Sequence, residues 1–177
     1  MIENMTVETT MRNTAEQPLS IIVGLGEMEV TRLPSAVLSC LGIGSCIVVC
    51  VYDSLFKIGG MSHIVLPSHD GKTGDNLAKY ADTGVPLLIN EVLRQGGIRS
   101  RLTIKIAGGA QMSLAPGLIN TFKTGERNLI GVKMAIEKAG IPLLAADVGG
   151  NKGRTVRMYI NTGKVTVKTA GDEERDI

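Results

Sequence analysis

The sequence is poor in the residues on which several classes of binding protein depend. Its 177 residues include no tryptophan, three tyrosines and two phenylalanines, which disfavours a platform for stacking nucleic-acid bases. Nineteen basic and seventeen acidic residues leave a net charge of +2, too small an excess to indicate nucleic acid or an anionic membrane as a partner. No apolar stretch is as long as a membrane span, and the polar first twenty residues lack the apolar centre of a signal peptide. We therefore expect a cytoplasmic protein that neither binds nucleic acid nor inserts into a membrane.

Cysteine and histidine are also scarce. The chain has three cysteines, Cys40, Cys46 and Cys50. An odd number at close spacing is a poor disulfide framework and favours reduced thiols. A zinc site built from the first two cysteines with His63 and His69 is disfavoured, because no pair has C-x-x-C spacing. The glycine motifs at 24–26 and 42–44 lack the third glycine of a dinucleotide fingerprint. The sequence therefore predicts no cofactor and no metal.

The remaining composition is typical of one folded domain. Apolar residues make up 44% of the chain and charged residues 20%, and the length suits a single core. We expect a flexible arm over residues 1–19, one domain over 20–170 and a solvated tail over 171–177. From Ile21 onwards, short segments rich in valine and isoleucine are bounded by glycine, proline or aspartate, which predicts a strand-rich protein.

Two segments repeat their apolar positions at helical spacing. The first begins near Thr83 and is stopped by the glycine pair that starts at Gly96. The second is predicted over 129–140, with Asn128 as its N-cap. Between them, the segment 109–128 carries few regular signals, and long irregular stretches in compact domains are often functional. Near the C-terminus, a terminal hairpin is predicted to turn at 161–164.

A predicted hairpin holds a thiol and an imidazole. CIVVCVYD begins at Cys46, KIGGMSHIVL contains His63, and a short turn joins the two runs. If Ser54 and Leu55 form the centre of that turn, Cys46 lies directly opposite His63. Direct partners on one face have Cβ atoms roughly 4.5–5.5 Å apart. At that separation the imidazole could take the thiol proton and create a nucleophile.

The residues before Cys46 support this interpretation, although a structural alternative stays open. Gly44 and Ser45 belong to a glycine-rich turn whose backbone N–H groups could converge on one point, as in a site that holds an oxyanion. The alternative is that the cysteine and the histidine only pack in the core, because free cysteine is among the most buried residue types. Cys50, four residues further along the same strand, is interpreted as core.

Several segments together resemble a known family. LGIGSCIVVCVYD and KIGGMSHIVLP resemble the signature of the CheD family of chemoreceptor glutamine deamidases, and the likeness extends through YAD at 80–82, KIAGGAQM at 105–112, GERN at 125–128 and the segment 147–168. The resemblance implies a hydrolase that converts glutamine side chains in the cytoplasmic helices of methyl-accepting chemotaxis receptors to glutamate, releases ammonia and tunes adaptation. It also implies an α+β fold, with a β-sandwich-like core of mixed sheets flanked by helices, similar to the toxin-type cysteine deamidases.

The same resemblance assigns roles to individual residues. It implies that Cys46 is the nucleophile and His63 the base. The family usually has threonine, its third catalytic residue, six positions before the nucleophile, and here that position holds Cys40. A thiol is a weaker hydrogen-bond partner than a hydroxyl, so we expect His63 to be oriented by Cys40, by Ser39 or by the backbone. Backbone N–H groups around Gly44 are expected to hold the oxyanion.

Two other functions remain open from the sequence. The resemblance to this family also implies a regulatory role, as an adaptor that binds and stimulates a CheC-type phosphatase. The segment 109–128 is the candidate surface for that phosphatase. A generic cysteine protease or esterase is the third possibility. Ester hydrolysis fits the same thioester route, whereas peptide cleavage needs an extended substrate cleft that the sequence does not show.

Overall fold

The computed structural model describes residues 18–71, 76–111 and 123–177. The predicted arm at 1–19 therefore lies almost wholly outside the described residues, and so does the larger part of the segment 109–128. In chain order the elements are β1 (Leu19–Ile22), β2 (Met28–Thr31), β3 (Ala36–Ile43), β4 (Ile47–Asp53), β5 (Ile58–Ile64), α1 (Ala81–Arg94), β6 (Leu102–Gly108), α2 (Thr124–Ala139), β7 (Leu143–Val148), β8 (Arg154–Tyr159), β9 (Lys164–Thr169) and β10 (Glu174–Asp176). Short 3₁₀ turns at 77–79 and 99–101 precede α1 and β6.

The described strands form two mixed sheets. One has the order β1-β3-β8-β9-β10, and the other has the order β2-β5-β4-β6-β7. The pairs β1–β3 and β6–β7 are parallel, and the remaining pairs are antiparallel. β8 and β9 form the predicted terminal hairpin, in which Tyr159 is paired with Lys164. With helices packed against the second sheet, the architecture confirms the predicted α+β class with a sandwich-like core.

The central strand β4 is buried on both faces. Successive side chains of a strand point to opposite sides, and all seven residues of β4 are buried. Val49 and Val51 pack with Leu88 of α1 in the layer between the sheet and the helices. Val48 and Cys50 belong to the other layer, between the two sheets, which confirms Cys50 as a core residue. Side chains at even-numbered positions near the start of β4 are therefore directed between the sheets.

The first helix agrees with its predicted pattern. α1 begins at Ala81, two residues before the predicted start, and it ends at Arg94 ahead of Gly96, whose φ is 105°. Its buried side includes Val85, Leu88 and Val92, which recur at helical spacing. Of the described helices, none has both the length and the apolar character needed to cross a membrane.

The second helix starts earlier than predicted, and the proposed N-cap is wrong. α2 begins at Thr124, so Asn128 lies inside it and is fully buried. Packing explains the early start: a Cβ on Gly125 would lie 2.5 Å from the carbonyl oxygen of Gly109, so the first turn of α2 rests directly on the backbone after β6. The predicted end is confirmed, because Gly140 follows the helix in the left-handed conformation with a φ of 66°.

Candidate active site

The length of the turn between β4 and β5 determines the pairing register of the two strands, and so the position of the Cys46 thiol relative to the His63 imidazole. Asp53 pairs with Ile58, which leaves four residues in the turn rather than two. The Asp53 carboxylate accepts hydrogen bonds from the N–H groups of Leu55 and Phe56 at 3.1 and 3.2 Å, as in an Asx turn. The longer turn moves the register by two positions compared with the prediction.

As a result, His63 lies opposite Val48, and the predicted direct pairing with Cys46 is wrong. A shift of two residues preserves the face, because side chains alternate with a period of two. Cys46, two residues before Val48, is therefore diagonal to His63 and on the same side of the sheet. Diagonal neighbours are about 7–8 Å apart, a separation that aromatic and long side chains can span.

The nucleophile candidate lies in a loop whose carbonyl groups all have donors. Gly44 O accepts a hydrogen bond from Ala110 N, and Cys46 O accepts one from Gly109 N, each at 2.8 Å. Ser45 O accepts a hydrogen bond from the Asn128 side chain at 2.9 Å. The end of β6 and the first turns of α2 therefore hold the backbone on both sides of the Cys46 thiol.

Exposure distinguishes Cys46 from the other two cysteines. Cys46 is partly exposed, whereas Cys40 and Cys50 are buried. Partial burial of the Cys46 thiol raises its pKa, so the protonated form prevails at neutral pH. A thiol in this state needs a neighbouring base before it can act as a nucleophile.

His63 is suited to be that base. The residue is 5% exposed, and burial lowers the pKa of its imidazole, while the Val23 backbone and the Glu27 charge oppose part of this effect. The lowered pKa keeps the ring neutral near pH 7, when it can accept a proton. Within the described ranges, no group makes a hydrogen bond of normal geometry with either ring nitrogen, although the Val23 backbone lies close enough to oppose part of the pKa shift. The backbone of His63 is held on both sides, by Gly26 N and Glu27 O at 3.0 Å each.

Cys40 lies beside this site, and its thiol contacts Val23 and Met61 rather than His63. Its side chain is fully buried, and its thiol donates to the carbonyl of Val23 at 3.3 Å and lies 3.5 Å from Met61 Sδ. Burial raises its pKa strongly, so Cys40 remains a neutral thiol. Ser39 is directed to the other face of β3, because neighbouring side chains alternate, and it therefore faces away from the layer that holds His63.

Sequence patterns did not predict three residues of this environment: Val23, Glu27 and Asn128. The carboxylate of Glu27 accepts a hydrogen bond from Gly24 N at 2.8 Å and so closes the turn that holds His63. Asparagine is common at helix N-caps, so the pattern around Asn128 gave no signal of a tertiary contact. Val23 contributes its backbone, which side-chain patterns do not reveal.

Two other places in the structure were candidates for a site: the surroundings of His69 and a cavity between the two helices. Among the residues that the structure describes, no group of three histidine, cysteine, aspartate or glutamate side chains could hold a metal ion. The His69 backbone N–H binds Asp82, and its ring contacts Tyr80 edge-on with the ring centres 4.9 Å apart. A cavity of about 980 Å³ lies between α1 and α2, but neither Cys46 nor His63 lines it.

Comparison with known proteins agrees with the resemblance in the sequence. The family described as CheD chemotactic sensory transduction matches residues 65–169, a range that begins directly after β5. A protein from Desulfitobacterium hafniense named "Probable chemoreceptor glutamine deamidase CheD" is 45% identical over 157 residues, which are 89% of this chain and 98% of that protein. The protein named "Chemoreceptor glutamine deamidase CheD" from Thermotoga maritima is 42% identical over 154 residues, 87% of this chain and 94% of that protein.

Among solved structures, the hypothetical protein YfiH of Bacillus licheniformis superposes with a TM-score of 0.42 and 12% sequence identity, over 78% of this chain and 62% of the other. The family match covers more than half of the sequence, and the two relatives are similar over nearly their whole length. The chain belongs to the CheD family.

Proposed function

We propose that this protein is a glutamine deamidase that acts on chemoreceptors, with Cys46 as nucleophile and His63 as base. One observation carries the proposal: a partly exposed cysteine and a buried imidazole lie diagonally on one face of a hairpin. The proposal is supported by the two relatives, which are named as a probable chemoreceptor glutamine deamidase and a chemoreceptor glutamine deamidase.

The first half of the reaction forms a thioester. His63 takes the proton of the Cys46 thiol, and the sulfur attacks the carboxamide carbon of a receptor glutamine. The carbon–sulfur bond forms while the electron pair of the C=O bond moves to the oxygen. Backbone N–H groups at Ser45 and Cys46 hold that oxyanion. When the intermediate collapses, the carbon–nitrogen bond breaks, and the imidazolium gives its proton to the departing ammonia.

The second half releases the product. His63 takes a proton from a water molecule, and the hydroxide attacks the thioester carbon. The carbon–sulfur bond breaks, Cys46 regains its proton, and the side chain leaves as glutamate. The net reaction is glutamine plus water to glutamate plus ammonia, and no redox partner or cofactor is needed.

We infer that Cys40 acts on this pair indirectly, as a positioning residue. Its thiol donates to the carbonyl of Val23, and the backbone of Val23 is one of the groups that raise the pKa of His63. Cys40 and His63 therefore share one backbone neighbour. A side chain that holds the Val23 carbonyl in place also controls how that carbonyl is presented to the imidazole.

The substrate is proposed to be the cytoplasmic helices of a methyl-accepting chemotaxis receptor, so that the reaction occurs in the cytoplasm and tunes adaptation. The adaptor role expected for the segment 109–128 has no support in the described part of that segment. It becomes the leading candidate only if deamidation fails.

The test is mass spectrometry of a receptor cytoplasmic fragment after incubation with the protein. Three forms are compared: the unaltered chain, Cys46→Ala, and Cys50→Ala as a matched loss of a thiol outside the site. Conversion of glutamine to glutamate by the unaltered chain and by Cys50→Ala, but not by Cys46→Ala, is the expected result. Conversion by Cys46→Ala would refute the mechanism. A lack of conversion by all three forms would refute the proposed function and direct the search to a phosphatase partner.

A further inference from the structure

Asn128 occupies an unusual position for an amide side chain. It lies in the interior of α2, where asparagine is a poor helix former, and it is fully buried. A buried amide lowers stability unless it is hydrogen-bonded. Its hydrogen bonds therefore indicate what the residue does.

The Asn128 amide joins the two sides of the candidate active site. Its Nδ2 donates to the carbonyl of Ser45 and to the carbonyl of Val65, at 2.9 Å in each case. An amide NH₂ group has two hydrogens, so both are used, and two carbonyl acceptors dictate that nitrogen rather than oxygen occupies this position. Ser45 precedes Cys46, and Val65 lies two residues after His63. One side chain therefore holds the backbone beside both proposed catalytic residues.

The contact with Ser45 determines the direction of one N–H group. In a trans peptide the C=O and N–H groups are planar and point in opposite directions. A Ser45 carbonyl that points at Asn128 therefore directs the Cys46 N–H away from α2. In the same way, the hydrogen bond from Ala110 N to Gly44 O directs the Ser45 N–H. In the described ranges, neither of these two N–H groups has an acceptor.

We propose that Asn128 is a positioning residue that orients the Cys46 N–H toward the oxyanion formed when the Cys46 sulfur attacks a carbonyl. This inference rests on Cys46 being the nucleophile of the proposed function. It adds a side chain from α2, remote in sequence, to the thiol, the imidazole and the glycine-rich loop. Aspartate could not replace Asn128, because its carboxylate would place an oxygen against two carbonyl oxygens. Alanine would leave both carbonyl groups without this donor.

Two reactions of the same sulfur separate this role from a merely structural one. Acylation of Cys46 by p-nitrophenyl acetate passes through an oxyanion: the sulfur bonds to the carbonyl carbon, the carbonyl electrons move to oxygen, and collapse expels p-nitrophenolate. Alkylation by iodoacetamide forms a carbon–sulfur bond, releases iodide and produces no oxyanion. Both rates are measured on the full chain by mass spectrometry of the peptide that contains Cys46.

For Asn128→Ala we expect the acylation rate to fall by about tenfold or more, a smaller loss than the deletion of a direct oxyanion donor causes. The alkylation rate should be nearly unchanged. Tyr52→Phe is the matched control. It removes a side-chain hydrogen bond to the carbonyl of Ile160 at the far end of β4, and both rates should stay at the unaltered values. Thermal unfolding of each variant verifies that the chain is folded.

An equal fall in both rates would mean that the thiol is generally displaced and would overturn the proposal, as would an unchanged acylation rate. If Asn128→Ala does not fold, Asn128→Ser is measured in its place. Its single hydroxyl hydrogen, on a shorter side chain, cannot serve both carbonyl groups. An unaltered ratio of acylation to alkylation in that variant is then the refuting result. Receptor deamidation is measured in parallel. Failure of the unaltered chain to convert glutamine, together with the expected change in the ratio, would refute the proposed substrate but not the role of Asn128.

Discussion

Val48 lies directly opposite His63 in the β4–β5 hairpin, and this relationship determines the shape of the candidate site. Val48 is fully buried, whereas Cys46, two residues earlier, precedes the first residue of β4 and is partly exposed. Cys46 is therefore partly accessible at the N-terminal end of β4. The imidazole remains within the layer between the sheets, with its pKa lowered by burial.

Replacement of His63 tests the proposed base directly. For His63→Gln we expect receptor deamidation to fall by roughly 10²–10⁴-fold, the usual contribution of general acid–base catalysis. His69→Gln is the control, because His69 is anchored to Asp82 outside the site. Steady-state rates on a receptor fragment provide the measurement. Equal loss in the two variants, or no loss in His63→Gln, would contradict the assignment.

The pH dependence follows from the two pKa shifts. Burial lowers the pKa of His63 below its ordinary value of 6.5, and in the proposed mechanism the neutral ring is the base. Activity should therefore persist somewhat below pH 6.5 and decline only as the pH falls through the lowered pKa. A profile of kcat/KM against pH measures this limb. A limb centred clearly above pH 6.5 would argue against His63 as the group that titrates.

The pH dependence of Cys46 alkylation in His63→Gln isolates the titration of the thiol from that of the imidazole. Burial raises the pKa of Cys46, so without a base its thiolate becomes abundant only at alkaline pH. The residual alkylation rate of His63→Gln should rise continuously through neutral pH and level off above the ordinary value for cysteine. A rate that is already level at pH 7 would show that the thiol is activated by another group.

Cys40 can be tested with two variants of nearly equal shape. Cys40→Thr supplies a hydroxyl, a stronger hydrogen-bond donor to the Val23 carbonyl than the thiol, and we expect deamidation at or above the unaltered rate. Cys40→Val supplies no donor, and we expect a several-fold lower kcat with little change in KM, because the substrate does not contact this buried position. Equal rates in the threonine and valine variants would show that only packing matters at position 40.

Asp53 is expected to contribute to stability through the turn that determines the register. Burial acts to raise the pKa of this fully buried carboxylate, but hydrogen bonds from Arg101 and from backbone N–H groups outweigh it and lower the pKa from 3.8 to about 2. Arg101 is partly exposed, and a hydrogen bond to a charged group contributes about 1.5–3 kcal/mol. We therefore expect Asp53→Asn to lower the free energy of unfolding by a comparable amount in urea.

The control for Asp53 is Glu91→Gln, which removes a surface carboxylate paired with Arg94. Surface pairs contribute about 0–1 kcal/mol, so the loss should be small. Because the pKa of Asp53 is lowered on folding, its contribution is present above pH 3.8 and is lost as the pH falls toward 2. The stability gap between the unaltered chain and Asp53→Asn should narrow over that range. A constant gap would contradict the role of the carboxylate charge.

Local patterns were sufficient for much of the secondary structure. The apolar spacing predicted α1 to within two residues of its start, and glycine residues marked the ends of both helices. The terminal hairpin also followed from a turn signal between two alternating segments. These features depend on residues within a few positions of one another, so their causes are visible along the chain.

Errors arose where hydrogen bonds and packing contacts overruled the predicted pattern. The turn after Asp53 is lengthened by hydrogen bonds to its carboxylate, which also binds Arg101 from 48 positions away. Asparagine is a residue type favoured at N-caps, but Gly125 packs against Gly109, so the helix begins before Asn128 and the amide of Asn128 lies inside the protein. At Asp53, local hydrogen bonds form the longer turn and a distant arginine holds the carboxylate in it, whereas at Asn128 a distant contact determines where the helix begins.

The sequence by itself determined the family and the α+β class. It also determined that Cys46 and His63 share a face, because strand alternation has a period of two and survives a register shift of two. Only the tertiary structure decided that the two are diagonal, that Cys40 meets the Val23 carbonyl, and that Asn128 binds Ser45 from 83 positions away. The physical reason is that hydrogen bonds in a packed interior depend on distance and direction in space, which separation along the chain does not specify.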